Sequence, residues 1–136
     1  MKTIVKVALF IWQLPQNILG FFLSLGGKKI DVVGGKVYVK NYFFNSAVSL
    51  GSFIIIDSRR FKTDTVIKHE QGHQKQSLYL GPMYLLTVGI PSFCRNIWDR
   101  IAHRNWPIQK RLDWYYSGYP EKSADELGGV NRKTSV

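Results

Sequence analysis

Five consecutive residues, His69-Glu70-Gln71-Gly72-His73, have the types and the spacing for metal chemistry. Histidines four apart stand above one another on a helix face, so both imidazoles can reach one tetrahedral zinc ion. The glutamate after the first histidine then faces the water that such an ion activates, where it can act as general base. Two histidines leave a catalytic zinc one protein ligand short, because such sites use three and keep the fourth position open. His103, Asp99, Asp113, Glu121, Asp125 and Glu126 are candidates for the third. Glu121 is the strongest, since Glu121 and Asp125 share a helical face in Pro120-Glu121-Lys122-Ser123-Ala124-Asp125. Glu121 can then ligate the metal while Asp125 accepts the free ring N–H of a ligating histidine and fixes its tautomer. His103, in Ile101-Ala102-His103-Arg104, is the rival ligand, with a place on a helix surface as its plainer reading. Ala124 is small enough to let its helix approach the one that carries the pentad.

The elements that position these groups follow from local patterning. Ile30-Asp31-Val32-Val33 and Val37-Tyr38-Val39 flank Gly34-Gly35, a two-residue hairpin signal. A third β-rich stretch covers residues 47–57, and the spacing predicts a meander of three antiparallel strands over 28–57. Thr63 or Asp64 can cap the pentad helix, expected over 63–80, and Gly81-Pro82 stops it. Residues 83–93 form an apolar run broken by Gly89 and Pro91, in which Tyr84-Leu85-Leu86, Val88 and Ile90 read as core. Residues 93–104 turn amphipathic, with Phe93, Ile97 and Ile101 on one face and Arg95, Asp99 and Arg100 off it. Asn105-Trp106-Pro107 interrupts. An aromatic stretch from Trp114 to Tyr119, read as packing, leads into a short helix over 120–128 with Pro120 first and Gly128-Gly129 at its end. Residues 130–136 read as a frayed tail. The expected architecture is one α+β domain over 1–136, a small antiparallel sheet packed on the pentad helix with further helices.

Composition narrows the classes. Of 136 residues, 45% are hydrophobic and 14% aromatic, which excludes a disordered chain. Cys94 is the one cysteine, so an intrachain disulfide and a Cys-rich zinc site are both excluded, and it reads as a small buried residue. The net charge of +10, from 19 basic and 9 acidic residues, points to an anionic partner. The basic residues are scattered (Arg59-Arg60-Lys62, Arg95 to Arg104, Lys110-Arg111, Arg132-Lys133), and no nucleic-acid motif accompanies them. A solvated basic surface is the first reading and an anionic membrane surface the next, with nucleic acid set aside. Residues 4–25 are apolar and long enough to span a bilayer, but Lys6 and the break at Gln13-Leu14-Pro15-Gln16-Asn17 make a span costly. No small-residue cleavage pattern follows, so a secretory leader is not expected. Within an apolar N-terminal segment, 1–27, a buried or membrane-surface piece up to residue 14 precedes a helix over 15–25. The expected location is accordingly cytoplasmic or membrane-associated.

H-E-x-x-H followed by E-x-x-A-D resembles the gluzincin zinc metallopeptidases. Gln76-Ser77, Leu80-Gly81-Pro82 and Tyr84-Leu85 beside the pentad are also similar to small bacterial domains of that kind. By position, the resemblance implies His69, His73 and Glu121 as zinc ligands, Glu70 as general base and Asp125 as the partner of His69. It implies a zincin-like fold in which a strand just before the active-site helix pairs with extended peptide, and residues 47–56 stand at that place. The implied activity is hydrolysis of a peptide or protein substrate by zinc-activated water, with Glu70 taking the proton and delivering it to the leaving amine. The resemblance covers the pentad helix, the strand before it and the Glu121 helix. The chain departs from the large gluzincins in being much shorter, with no room for their second subdomain and a long gap from His73 to Glu121. No motif matches their transition-state-stabilising His or Tyr, although Tyr115, Tyr116 and Tyr119 are available. The alternative from another class is a non-catalytic basic module, membrane-associated or binding a partner, whose zinc site is structural and has no use for a general base at Glu70.

Overall fold

Val37, Ile54 and Ile56 form the centre of the core, and their places in the chain show how the sheet is built. The computed structural model describes residues 1–41, 46–59 and 64–132. Its strands are β1 (Lys28–Val32), β2 (Gly35–Lys40), β3 (Ala47–Leu50) and β4 (Phe53–Asp57). Its α-helices are α1 (Lys2–Trp12), α2 (Leu14–Ser24), α3 (Asp64–Leu80), α4 (Ile90–Ala102), α5 (Ile108–Tyr116) and α6 (Glu121–Gly128). The class is α+β, but the expected three-stranded antiparallel meander is replaced by a mixed sheet of four strands in the order β1-β2-β4-β3.

Two turns account for the difference. Gly51, at φ +63°, opens a two-residue turn with Ser52, so Leu50 pairs with Phe53 and the stretch 47–57 folds into two strands. β4 then lies between β3 and β2, antiparallel to the first and parallel to the second, with Tyr38 opposite Ile55. The first hairpin turns at Val33-Gly34 rather than Gly34-Gly35, because Val32 pairs with Gly35 and Gly34 takes the positive φ of +89°.

A central strand needs apolar cover on both faces, which is why β4 reads Phe53-Ile54-Ile55-Ile56. Ile54 and Ile56 pack with Val66 and Ile67 of α3. Alternation turns Phe53 to the other face, where α2 crosses close enough for Gly20 to touch Phe53 and the Leu50 carbonyl. α2 and α3 thus cover opposite faces of the sheet.

Beyond α3, a 3₁₀ turn (Gly81–Met83) and a π-helical turn (Leu85–Gly89) lead into α4. Gly89 and Pro91 do not break this run as expected. Pro91 has no N–H for the Thr87 carbonyl; the Ile90 N–H reaches back five residues to Leu85, and the Tyr119 hydroxyl donates to Thr87 O at 2.7 Å. Tyr84 and Val88 are buried, whereas Leu86, Ile90 and Cys94 are exposed, contrary to the core reading. A helix in this place buries one narrow stripe and leaves its other faces open. His103, expected on a helix surface, is buried at the end of α4, stacked on Trp106 with its Nδ1 3.1 Å from Asp99 Oδ1.

The N-terminal pieces meet at Gln13 with an 89° bend. α1 has no buried residue, which removes the buried alternative for this segment. Among the described residues no single helix is long and apolar enough to cross a membrane, though the bent pair has the combined length and composition. The expected cap Thr63, the basic residues Arg60 and Lys62, and the tail from Lys133 onward lie outside the described residues.

Candidate metal centre

The buried face of α3 is polar: His69, Glu70, Gly72, His73, Gln76 and Ser77. It is covered by α6, and the two helices touch backbone to backbone. A Cβ on Gly72 would stand 1.8 Å from Ala124 O, and one on Gly128 would stand 2.0 Å from Lys68 O. That approach brings the first turn of α6 against the histidines. Glu121 Oε2 lies 2.9 Å from His69 Nε2 and 3.1 Å from His73 Nε2.

The outward nitrogen of each ring is held by an oxygen acceptor. His69 Nδ1 lies 2.7 Å from Asp125 Oδ1, and His73 Nδ1 lies 2.7 Å from Gln76 Oε1. The Gln76 amide is oriented by its own Nε2, which donates to Pro120 O at 3.1 Å. Each ring can therefore keep a proton on Nδ1 and turn Nε2 toward Glu121 Oε2, donating a proton there or, once that proton is lost, offering a lone pair to a metal ion. The other oxygen of Glu121, Oε1, accepts from Ser92 Oγ and from the Tyr115 hydroxyl at 3.2 Å. Two nitrogens and one oxygen, all within 4.8 Å of one another and buried, can hold a metal ion, and this is the one such group among the described residues.

Converging lone pairs repel unless a cation lies among them, and a proton is the smallest such cation. Burial, the largest single influence, lowers the His69 pKa, but hydrogen bonds to Asp125 and Glu121 outweigh it and raise it to about 9. Burial would raise the Glu121 carboxyl; the two histidines hold it well below the ordinary range. Burial would also raise Asp125, and hydrogen bonds from His69 and Arg132 keep it lowered. A metal ion must displace the His69 proton. Apparent affinity for a divalent ion should therefore climb about tenfold per pH unit and level off above about 9. Titration with cobalt(II) across this range checks it, and a flat profile would contradict the arrangement.

The five site residues expected from spacing, His69, Glu70, His73, Glu121 and Asp125, are brought together. Glu70 is buried beside His69, and its charge raises the pKa values of His69 and of Tyr84. The other candidates for third ligand lie elsewhere: Asp99 pairs with His103 and Arg111, Asp113 accepts from Gln109, and Glu126 is exposed. Of the three tyrosines, Tyr115 reaches Glu121, Tyr116 packs its ring on His69, and Tyr119 holds Thr87. Sequence reasoning missed Gln76, Ser92 and Tyr84. Gln76 had a signal, since it follows His73 by one turn on the same face; the other two had none. Gln76→Leu should weaken metal binding about 10- to 100-fold with the fold intact. Competition with a chromophoric chelator measures this, and unchanged affinity would remove Gln76 from the site.

No protein-family model, curated protein or solved structure matches the chain.

Proposed function

We propose that this chain is a gluzincin-like zinc metallopeptidase, with His69, His73 and Glu121 as the metal ligands. The observation that carries the reading is the convergence of His69 Nε2, His73 Nε2 and Glu121 Oε2 beside a buried Glu70. Two imidazoles and a carboxylate suit zinc, and three protein ligands leave a position for reaction. When bound, zinc supplies Lewis acidity to water and to the scissile carbonyl. Glu70 takes the water proton and delivers it to the leaving nitrogen. Asp125 and Gln76 keep the two imidazoles turned toward the metal, while Ser92 and Tyr115 hold Glu121 Oε1 so that Oε2 serves it.

Peptide would lie along β3, and this sharpens the expectation for residues 47–56. β4, the strand directly before α3, has neighbours on both sides, while β3 is at the sheet edge. The two-residue turn makes Leu50 and Phe53 a hydrogen-bonded pair, so Ala47 and Ser49 turn their backbone groups outward. The Ser49 carbonyl already accepts the Tyr84 hydroxyl at 2.9 Å, which ties this edge to a residue electrostatically linked to Glu70. An edge strand beside the pentad helix, followed by a helix with the third ligand, supports a zincin-like arrangement. The test is digestion of a peptide library by the zinc-loaded full chain: cleavage that a chelator abolishes and zinc restores is expected, and an undigested library would contradict the proposal.

A further inference from the structure

α2 is built inside out. Its buried residues are Gln16, Asn17, Gly20 and Ser24, while Leu14, Ile18, Leu19, Phe22 and Leu23 are exposed. Apart from Gln16 Oε1, which has no partner among the described residues, the buried side-chain amides are tied in: Gln16 Nε2 donates to Ser77 Oγ at 2.9 Å and to Gly81 O at 2.8 Å, and Asn17 Nδ2 donates to Phe10 O at 2.9 Å. The Ser52 N–H donates to Asn17 Oδ1 at 2.7 Å. A helix on a protein in water turns its apolar stripe inward; one that faces hydrocarbon does the reverse and satisfies its polar groups internally.

α1 makes the same point by a different route. It buries nothing, although Ile4, Val5, Val7, Phe10 and Ile11 are all exposed. A helix of this length is marginal in water without packing. Yet its end is firmly placed, because the Trp12 Nε1–H donates to Leu78 O at 3.0 Å and Asn17 ties Phe10 to the β3–β4 turn. α4 is a third such surface, with no buried residue and with Phe93, Ile97, Trp98 and Ile101 exposed beside Arg100 and Arg104. Tryptophan and arginine flanking an apolar stripe characterise helices that lie in a membrane interface.

We propose that the α1–α2 elbow, assisted by the apolar face of α4, docks the protein on an anionic lipid bilayer and inserts into one leaflet. Each arm has 11 residues, about 16 Å at the helical rise, or roughly half the hydrocarbon thickness. With the 89° bend between them, the two arms do not form one straight helix. Charge selects lipid over a second copy of the chain. Lys2 and Lys6 lie on α1 and the net charge is +10, so self-association sets like charges together whereas an anionic leaflet is complementary.

Flotation of the full chain with phosphatidylcholine vesicles, with and without phosphatidylglycerol, tests the proposal. The chain should float with both, more strongly with the anionic vesicles, and the difference should shrink at high salt. The triple variant Ile4→Asn/Ile11→Asn/Phe22→Asn should lower partitioning roughly a hundredfold or more. A readout independent of that variant's folding is quenching of wild-type fluorescence by brominated phosphatidylcholine, reduced in Trp98→Phe. Absence of both flotation and quenching would overturn the proposal, as would a vesicle-free dimer in sedimentation velocity that the triple variant converts to monomer.

Discussion

Glu70→Gln should lower peptide hydrolysis by about 10²- to 10⁴-fold, the usual contribution of a positioned general base, while the metal content stays that of the wild type. Glutamine keeps the size and the polarity of the side chain and removes only its capacity to take a proton. Glu70 is not among the three grouped donor atoms, so metal content is expected to be independent of it. The pair of readouts separates the two classes of function. A peptidase loses turnover and keeps its metal; a module with a structural metal shows identical digestion profiles for both proteins, since it has no use for a base at that place.

Gly72→Ala should destabilise the protein by about 3 kcal/mol, at the upper end of ordinary overpacking. In an open helix the same change stabilises by about 1 kcal/mol, because alanine is the better helix former. Here the sign is reversed by one contact: the new Cβ would meet Ala124 O at 1.8 Å, and a backbone atom cannot rotate aside. The relief available is a retreat of α6, which carries Glu121 and Asp125 away from the histidines. Thermal unfolding should thus show a lower Tm together with weaker metal binding. Gly35→Ala is the control, since a Cβ there meets nothing within 4 Å. A raised Tm for Gly72→Ala would mean that α3 and α6 are not in contact as described.

The site was more legible in the sequence than the sheet, for a physical reason. Helical spacing determines which side chains share a face, so the pairings His69 with His73 and Glu121 with Asp125 could be read from four-residue intervals. The meeting of the two helices had only small residues as a signal, Ala124 and Gly72. Ser92 and Tyr115 could not be read, because they reach Glu121 from α4 and α5, and no local pattern encodes how those helices approach α6. In the sheet, Gly51 lies inside the β-rich stretch 47–57 expected as one strand, and its positive φ makes it the turn between two. The parallel pairing of β2 with β4 depends on the path between strands, which periodicity does not record. The exposed faces of α2 and α4 show the same limit: a pattern tells which residues lie together, not whether protein, water or lipid lies opposite.

Counting metal in the purified full chain by native mass spectrometry decides whether the proposed ligands His69, His73 and Glu121 hold a zinc ion. One zinc per wild-type chain and none in His69→Ala/His73→Ala is the expected result; stoichiometric metal retained by the double variant would contradict it.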